Sequence, residues 1–206
     1  MIGVYKPACG VASVIISIAA YTRYLRRTSE EGGIQPHPFS WLPWGLVSTV
    51  AFLVQLTQGG GWWGSMVTGI TAAACFAIVF QTFRKHDWQF DRFDQFLLAL
   101  SVGALIIYAY CYLWGKDPTW SAVLATLTDV LGYAPTIRKG WVAPDTDDAR
   151  SFLWNGIKFV PAVLALGSYS LATVLYPATL VVVNCGVWAM LLIRGRTVLR
   201  RRNGVN

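Results

Sequence analysis

Residues 64–85 read GSMVTGITAAACFAIVFQTFRK: the run 64–83 carries no charge, and Arg84 and Lys85 close it. At about 1.5 Å per residue, a helix of about 20 apolar residues crosses a hydrocarbon core of about 30 Å. Six further stretches outward from this one have the same character: residues 8–24, 39–56, 96–114, 120–137, 152–173 and 175–193. The basic residues sort between them. Of the 17 Lys and Arg, all but Lys6, Lys116 and Lys158 gather at or after the ends of stretches one, three, five and seven. These are Arg23, Arg26 and Arg27; Arg84, Lys85 and Arg92; Arg138, Lys139 and Arg150; and Arg194, Arg196, Arg200, Arg201 and Arg202. The gaps after stretches two and six carry none. Membrane insertion leaves Lys and Arg on the cytoplasmic side, so the alternation predicts seven transmembrane helices with the N-terminus out and the C-terminus in. The first stretch, with no small-residue cleavage site, reads as a retained helix.

Composition points the same way. The chain is 55% hydrophobic and 13% charged, against about 25% charged in a soluble domain. Its net charge of +7 is that of basic helix ends meeting anionic lipid, and without a basic face with interleaved aromatics it predicts no nucleic-acid partner. Cys9, Cys75, Cys111 and Cys185 lie in different stretches without metal spacing, and His37 and His86 stand alone in loops, so no metal or cofactor is expected. Trp41, Trp44, Trp62, Trp63, Trp88, Trp114, Trp120 and Trp141 lie near stretch ends, where the head-group zone suits an amphipathic ring. A buried lysine among seven helices raises retinal, but helix seven has no lysine and helix three no carboxylate.

A shift of about 111 residues lays the first three stretches on the last three, as when Ser40 meets Ser151. Ala20-Tyr21, then Arg26-Arg27, faces Gly132-Tyr133, then Arg138-Lys139; Ser40-Trp41-Leu42-Pro43-Trp44-Gly45 faces Ser151-Phe152-Leu153-Trp154-Asn155-Gly156. The expected architecture is a 3+1+3 parallel repeat: residues 1–94 as the first triple-helix unit with its connecting loop, 95–116 as a linker helix, and 117–206 as the second unit with a basic tail.

The run Asp129-Val130-Leu131-Gly132-Tyr133-Ala134-Pro135-Thr136-Ile137-Arg138-Lys139 resembles the fifth-helix motif of the SWEET and PQ-loop transporters, with Thr136 in place of the glutamine. It also resembles an uncharacterised bacterial membrane family with an Asp-x-x-Gly-x-x-Pro-Thr-x-x-Lys run. The first copy departs from the pattern, because Arg23 stands where its proline belongs. The resemblance implies a seven-helix transporter of a bacterial cytoplasmic membrane. It also implies that Asn184, in the seventh helix, contacts substrate, although its third-helix counterpart falls near Ala73.

Asp129 and Lys158 are ionisable groups within apolar stretches, each roughly 10–14 Å from the cytoplasmic surface at helical rise. Charges there cost about 2.5–3.5 kcal/mol each and normally find a partner. An Asp129–Lys158 ion pair is therefore expected, as a proton-coupling group or as a tether between helices. Asn184 and Asn155 are candidate substrate amides or interhelical glue, with Trp154 and Tyr133 as aromatic wall. Pro135 and Pro161 interrupt helices five and six and read as hinges. Ser40 and Ser151 read as N-caps of helices two and six, and Asp145, Asp147 and Asp148 as charges answering a helix dipole or arginines. The leading expectation is a non-enzymatic small-solute transporter working by alternating access, with proton coupling. The competing one is an accessory subunit or receptor on the same fold. Expected partners are the lipid bilayer, a small polar solute, and a second copy or another membrane protein.

Overall fold

A computed structural model describes residues 2–30, 38–83, 91–144 and 148–202 of the chain. Among them it is all-helical: α1 Ile2–Ser29, α2 Pro38–Thr57, α3 Gly61–Phe83, α4 Arg92–Leu113, α5 Thr119–Gly132, α6 Ala134–Val142, α7 Ala149–Ile157, α8 Phe159–Ala165 and α9 Leu171–Arg202. Four segments are long and apolar enough to cross a membrane, namely Tyr5–Ser29, Gly61–Phe83, Arg92–Leu113 and Leu171–Thr197, and Trp41–Thr57 is a shorter apolar helix. The fifth and sixth sequence stretches each fold as two shorter helices, α5 with α6 and α7 with α8. His37, Arg84, Lys85, His86, Trp88, Asp145 and Asp147 lie outside the described residues.

Proline chemistry accounts for both interruptions. Pro135 has no N–H for the Leu131 carbonyl, and Pro161 none for Ile157, so each helix loosens one turn before its proline. The interrupting residues are Tyr133 (φ −78°, ψ −14°) and Lys158 (φ −59°, ψ −29°), both still right-handed. The result is a kink rather than a reversal.

The sixth stretch is shorter than its apolar run suggests. Instead of continuing to Thr173, α8 ends at Ala165, and α9 begins at Leu171. Gly167 and Ser168 end it by bonding elsewhere. The Gly167 N–H donates to the Gly60 carbonyl at 2.7 Å, and Ser168 Oγ to the Gln58 carbonyl at 2.9 Å. Gln55 Nε2 adds a third bond, to the Thr173 carbonyl at 3.2 Å. Glycine is required here, because a Cβ on Gly167 would lie 2.5 Å from the Gly59 carbonyl oxygen, and Gly59 itself has φ +78°. The α2–α3 and α8–α9 loops thus form one glycine clasp at one end of the bundle.

The opposite end is charged. Asp148 Oδ2 meets Arg27 Nη1 at 2.7 Å and Arg23 Nη2 at 3.7 Å. Asp148 also caps α7, accepting from the Arg150 N–H at 3.1 Å and from Ser151 Oγ at 2.9 Å. The expected cap, Ser151, is therefore a partner of the true one. Ser40 likewise falls inside the first turn of α2, which starts at Pro38. Between the two ends, α3 packs against α1 and α2, and α9 against α5 and α7; α4 packs on α2 and α5. Ser121 Oγ fixes the α4–α5 contact through the Ala104 carbonyl at 2.8 Å. The main core runs through Val47, Val50, Val54, Ala122, Ala125, Phe159, Tyr176 and Leu180.

Candidate functional site

Asp129 lies on the face of α5 that also buries Ala122, Ala125 and Thr126, three to seven residues away at helical spacing. The carboxylate is 3% exposed. Oδ1 accepts from the Tyr176 hydroxyl of α9 at 3.0 Å, while Oδ2 is buried without a partner. With its proton committed to Asp129, Tyr176 accepts from Ser48 Oγ of α2 at 2.8 Å. The kink exposes a second group. The Tyr133 N–H bonds to Val130 instead of reaching back to Asp129, so the Asp129 carbonyl receives Trp44 Nε1 at 3.3 Å. Gly132 permits that approach, since a Cβ there would collide with Trp44 Nε1.

Lys158, at the α7–α8 kink, has no exposed surface. Its ammonium donates to the Tyr21 hydroxyl of α1 at 2.8 Å and to Thr71 Oγ1 of α3 at 3.0 Å. The rings of Tyr21 and Phe159 flank it at 4.1 and 4.9 Å. A cation over aromatic faces gains about 0.5–2 kcal/mol. The direct Asp129–Lys158 ion pair expected from the sequence is not made. The expected adjacency of the fifth and sixth stretches fails: α5 packs on α2, α4 and α9, whereas α7 and α8 pack on α1, α3 and α9. Each group turns to hydroxyls of other helices, and the ion pairs among the described residues are those of Asp148. The Phe159 ring stands edge-on to Tyr176, with centroids 6.4 Å apart, between the two shells.

The remaining candidates divide. Asn184 is 2% exposed; its Nδ2 donates back to the Leu180 carbonyl at 2.9 Å, and the Tyr133 hydroxyl reaches its side chain. Gly156 lets α7 close on this point, because a Cβ would meet Cys185 Sγ at 2.9 Å. Asn155 is half-buried and donates one amide proton to the Ser151 carbonyl one turn back in α7 at 3.0 Å. Trp154 is 43% exposed on the outside of the bundle and does not wall the site. Pro135 is exposed and Pro161 half-buried, each beside a kink rather than facing the polar groups.

Trp44 and Tyr133 provide the aromatic wall instead. A row of rings runs from Tyr24 to Trp41 (5.0 Å), Trp44 (5.3 Å), Tyr133 (5.2 Å) and Phe152 (6.4 Å), crossing α1, α2, the α5–α6 junction and α7. Trp41 and Trp44 are half-buried and packed against the core, whereas Trp62, Trp63, Trp114, Trp120 and Trp141 are exposed as a head-group belt requires. The sequence reading missed Tyr176, Ser48, Thr71 and Trp44. Tyr176 was placed at the edge of an apolar stretch starting at 175, and the earlier start of α9 carries it deeper. The Tyr21–Tyr133 correspondence was a usable signal, because both tyrosines are buried beside the polar groups.

Family models, curated proteins and solved structures were all compared with this chain, and none matches.

Proposed function

We propose that the chain is a seven-span small-solute transporter of a cell membrane, working by alternating access between α1–α3 and α5–α9, with α4 as linker and Asp129 as proton-coupling group. One observation carries this reading: two opposite buried charges stand where the two helix groups meet, each held across that boundary. Asp129 reaches Ser48 of α2 through Tyr176, and Lys158 binds Tyr21 of α1 and Thr71 of α3. Charges buried at such depth mark pathways in membrane proteins. The matched packing of α3 and α9, each between two partners of its own group, fits a parallel repeat. With the arginine end inside, the Asp148 bridges and the aromatic row close the cytoplasmic approach, and the glycine clasp closes the outer one. This is an occluded arrangement with cell-membrane topology N-out and C-in. The site is built from Asp129, Tyr176, Lys158 and the Tyr133–Asn184 contact.

The test is a thermal-shift screen of solute classes on purified protein, repeated with Asn184→Ala, followed by uptake into proteoliposomes carrying an internal pH dye. One class should stabilise the wild type and not the variant, and its uptake should move protons in the wild type but not in Asp129→Asn. A chain that responds to no class, moves none, and retains another membrane protein through mild extraction is instead an accessory subunit.

A further inference from the structure

The Lys158 shell is built for more than its own lysine. Its ammonium has three protons; two go to Tyr21 and Thr71, and neither acceptor carries charge. Thr71 spends its own proton on the Val67 carbonyl at 2.8 Å. One turn from Tyr21 on α1 is Ser17, and one turn from Thr71 on α3 is Thr68; both are wholly buried. Neither hydroxyl has a hydrogen-bond partner. A buried hydroxyl left unpaired costs about 1–3 kcal/mol, and serine and threonine in apolar helices ordinarily bond a carbonyl one turn back, as Thr71 does. Two idle donors on two adjacent helices, each one turn from a residue that holds a cation with no bonded carboxylate, have the chemistry of an anion receptor.

We propose that Lys158, Ser17 and Thr68 bind a small anionic group, either an inorganic halide or the carboxylate of an organic molecule. The ammonium supplies the charge and its third proton, and the two hydroxyls donate from α1 and α3. Tyr21, Phe159 and Thr71 hold the ammonium so that it is not drawn to Asp129. Binding at this site is independent of whether the chain moves anything across a membrane.

The experiment measures thermal unfolding of the purified chain in uncharged detergent at constant ionic strength. Bulky gluconate is replaced stepwise by chloride, by bromide, or by acetate. A saturable rise in Tm with at least one small anion is expected, absent in Lys158→Gln. Halide alone identifies a free inorganic ion, and acetate identifies the carboxylate of an organic molecule. The variant combining Ser17→Ala and Thr68→Val keeps the lysine and should shift half-saturation by about tenfold, the loss expected with a hydrogen bond to a charged group. Equal Tm in every anion, a response that survives Lys158→Gln, or unchanged half-saturation in the double variant overturns the proposal. Loss of solute uptake with anion binding intact separates this site from the transport reading.

Discussion

The Tyr176 hydroxyl joins Asp129, 3.0 Å away, to Ser48, 2.8 Å away, so one phenol links α9, α5 and α2. This bond is the carboxylate's one direct side-chain partner among the described residues, and the other oxygen has none.

Removing that hydroxyl should therefore be expensive. Tyr176→Phe keeps the ring against Phe159 and leaves both carboxylate oxygens unpaired, a loss of about 1–3 kcal/mol. Ser48→Ala removes only the outer bond of the chain, at about 0.5–1.5 kcal/mol. Chemical denaturation of the two variants in detergent measures the difference. Equal effects would mean that the carboxylate does not depend on the phenol.

Asp148 performs two tasks, and substitutions separate them. Arg27→Ala removes a bridge whose arginine side chain is 41% exposed, which is worth about 0.2–1 kcal/mol and fades with salt. Asp148→Ala removes the bridges to both Arg27 and Arg23 together with the α7 cap, and loss of a cap alone costs about 0.5–2 kcal/mol. The aspartate variant should stay destabilised in high salt while the arginine variant recovers. A cap-independent result, with both variants recovering alike, contradicts the assignment.

Close helix contact depends on a few glycines and not on others. A Cβ on Gly64 would lie 2.7 Å from the Leu166 backbone, so Gly64→Ala forces α3 away from the α8–α9 loop at about 1–3 kcal/mol. At Gly186, within α9, nothing stands within 4 Å, and Gly186→Ala should stabilise by about 0.4–1 kcal/mol through the unfolded chain. Unfolding midpoints of opposite sign are the expected outcome.

Much of the helical framework was legible because apolar run length and basic punctuation are local signals. The apolar runs at 64–83 and 96–114 correspond closely to α3 and α4. The boundary between stretches six and seven was not legible. Leu166, Ala172 and Val174 read as continuous apolar sequence, and the chain turns there because Gly167 and Ser168 find carbonyls in a loop more than a hundred residues earlier. The site followed the same division. Burial of Asp129, Lys158 and Asn184 follows from their apolar neighbourhoods. Their partners do not, because hydroxyls such as Tyr21, Thr71 and Ser48 are unremarkable in composition and acquire meaning only when the helices pack. An aspartate and a lysine on successive stretches invite pairing by charge alone. What prevails here is packing: α9 lies between α5 and α7, so each charge meets the hydroxyls of its own neighbours instead of the other charge.

The Lys158–Tyr21 bond joins residues 137 positions apart, and that separation governs the order of assembly. As the chain emerges from the ribosome, α1 through α7 precede the lysine, so Tyr21 and Thr71 are synthesised long before the ammonium they hold. Contacts between distant positions form slowly because the loop they close is large. The contact that joins α1 and α3 to the later helices through this ammonium thus closes late, and a nascent chain halted before residue 158 would leave Tyr21 and Thr71 without it.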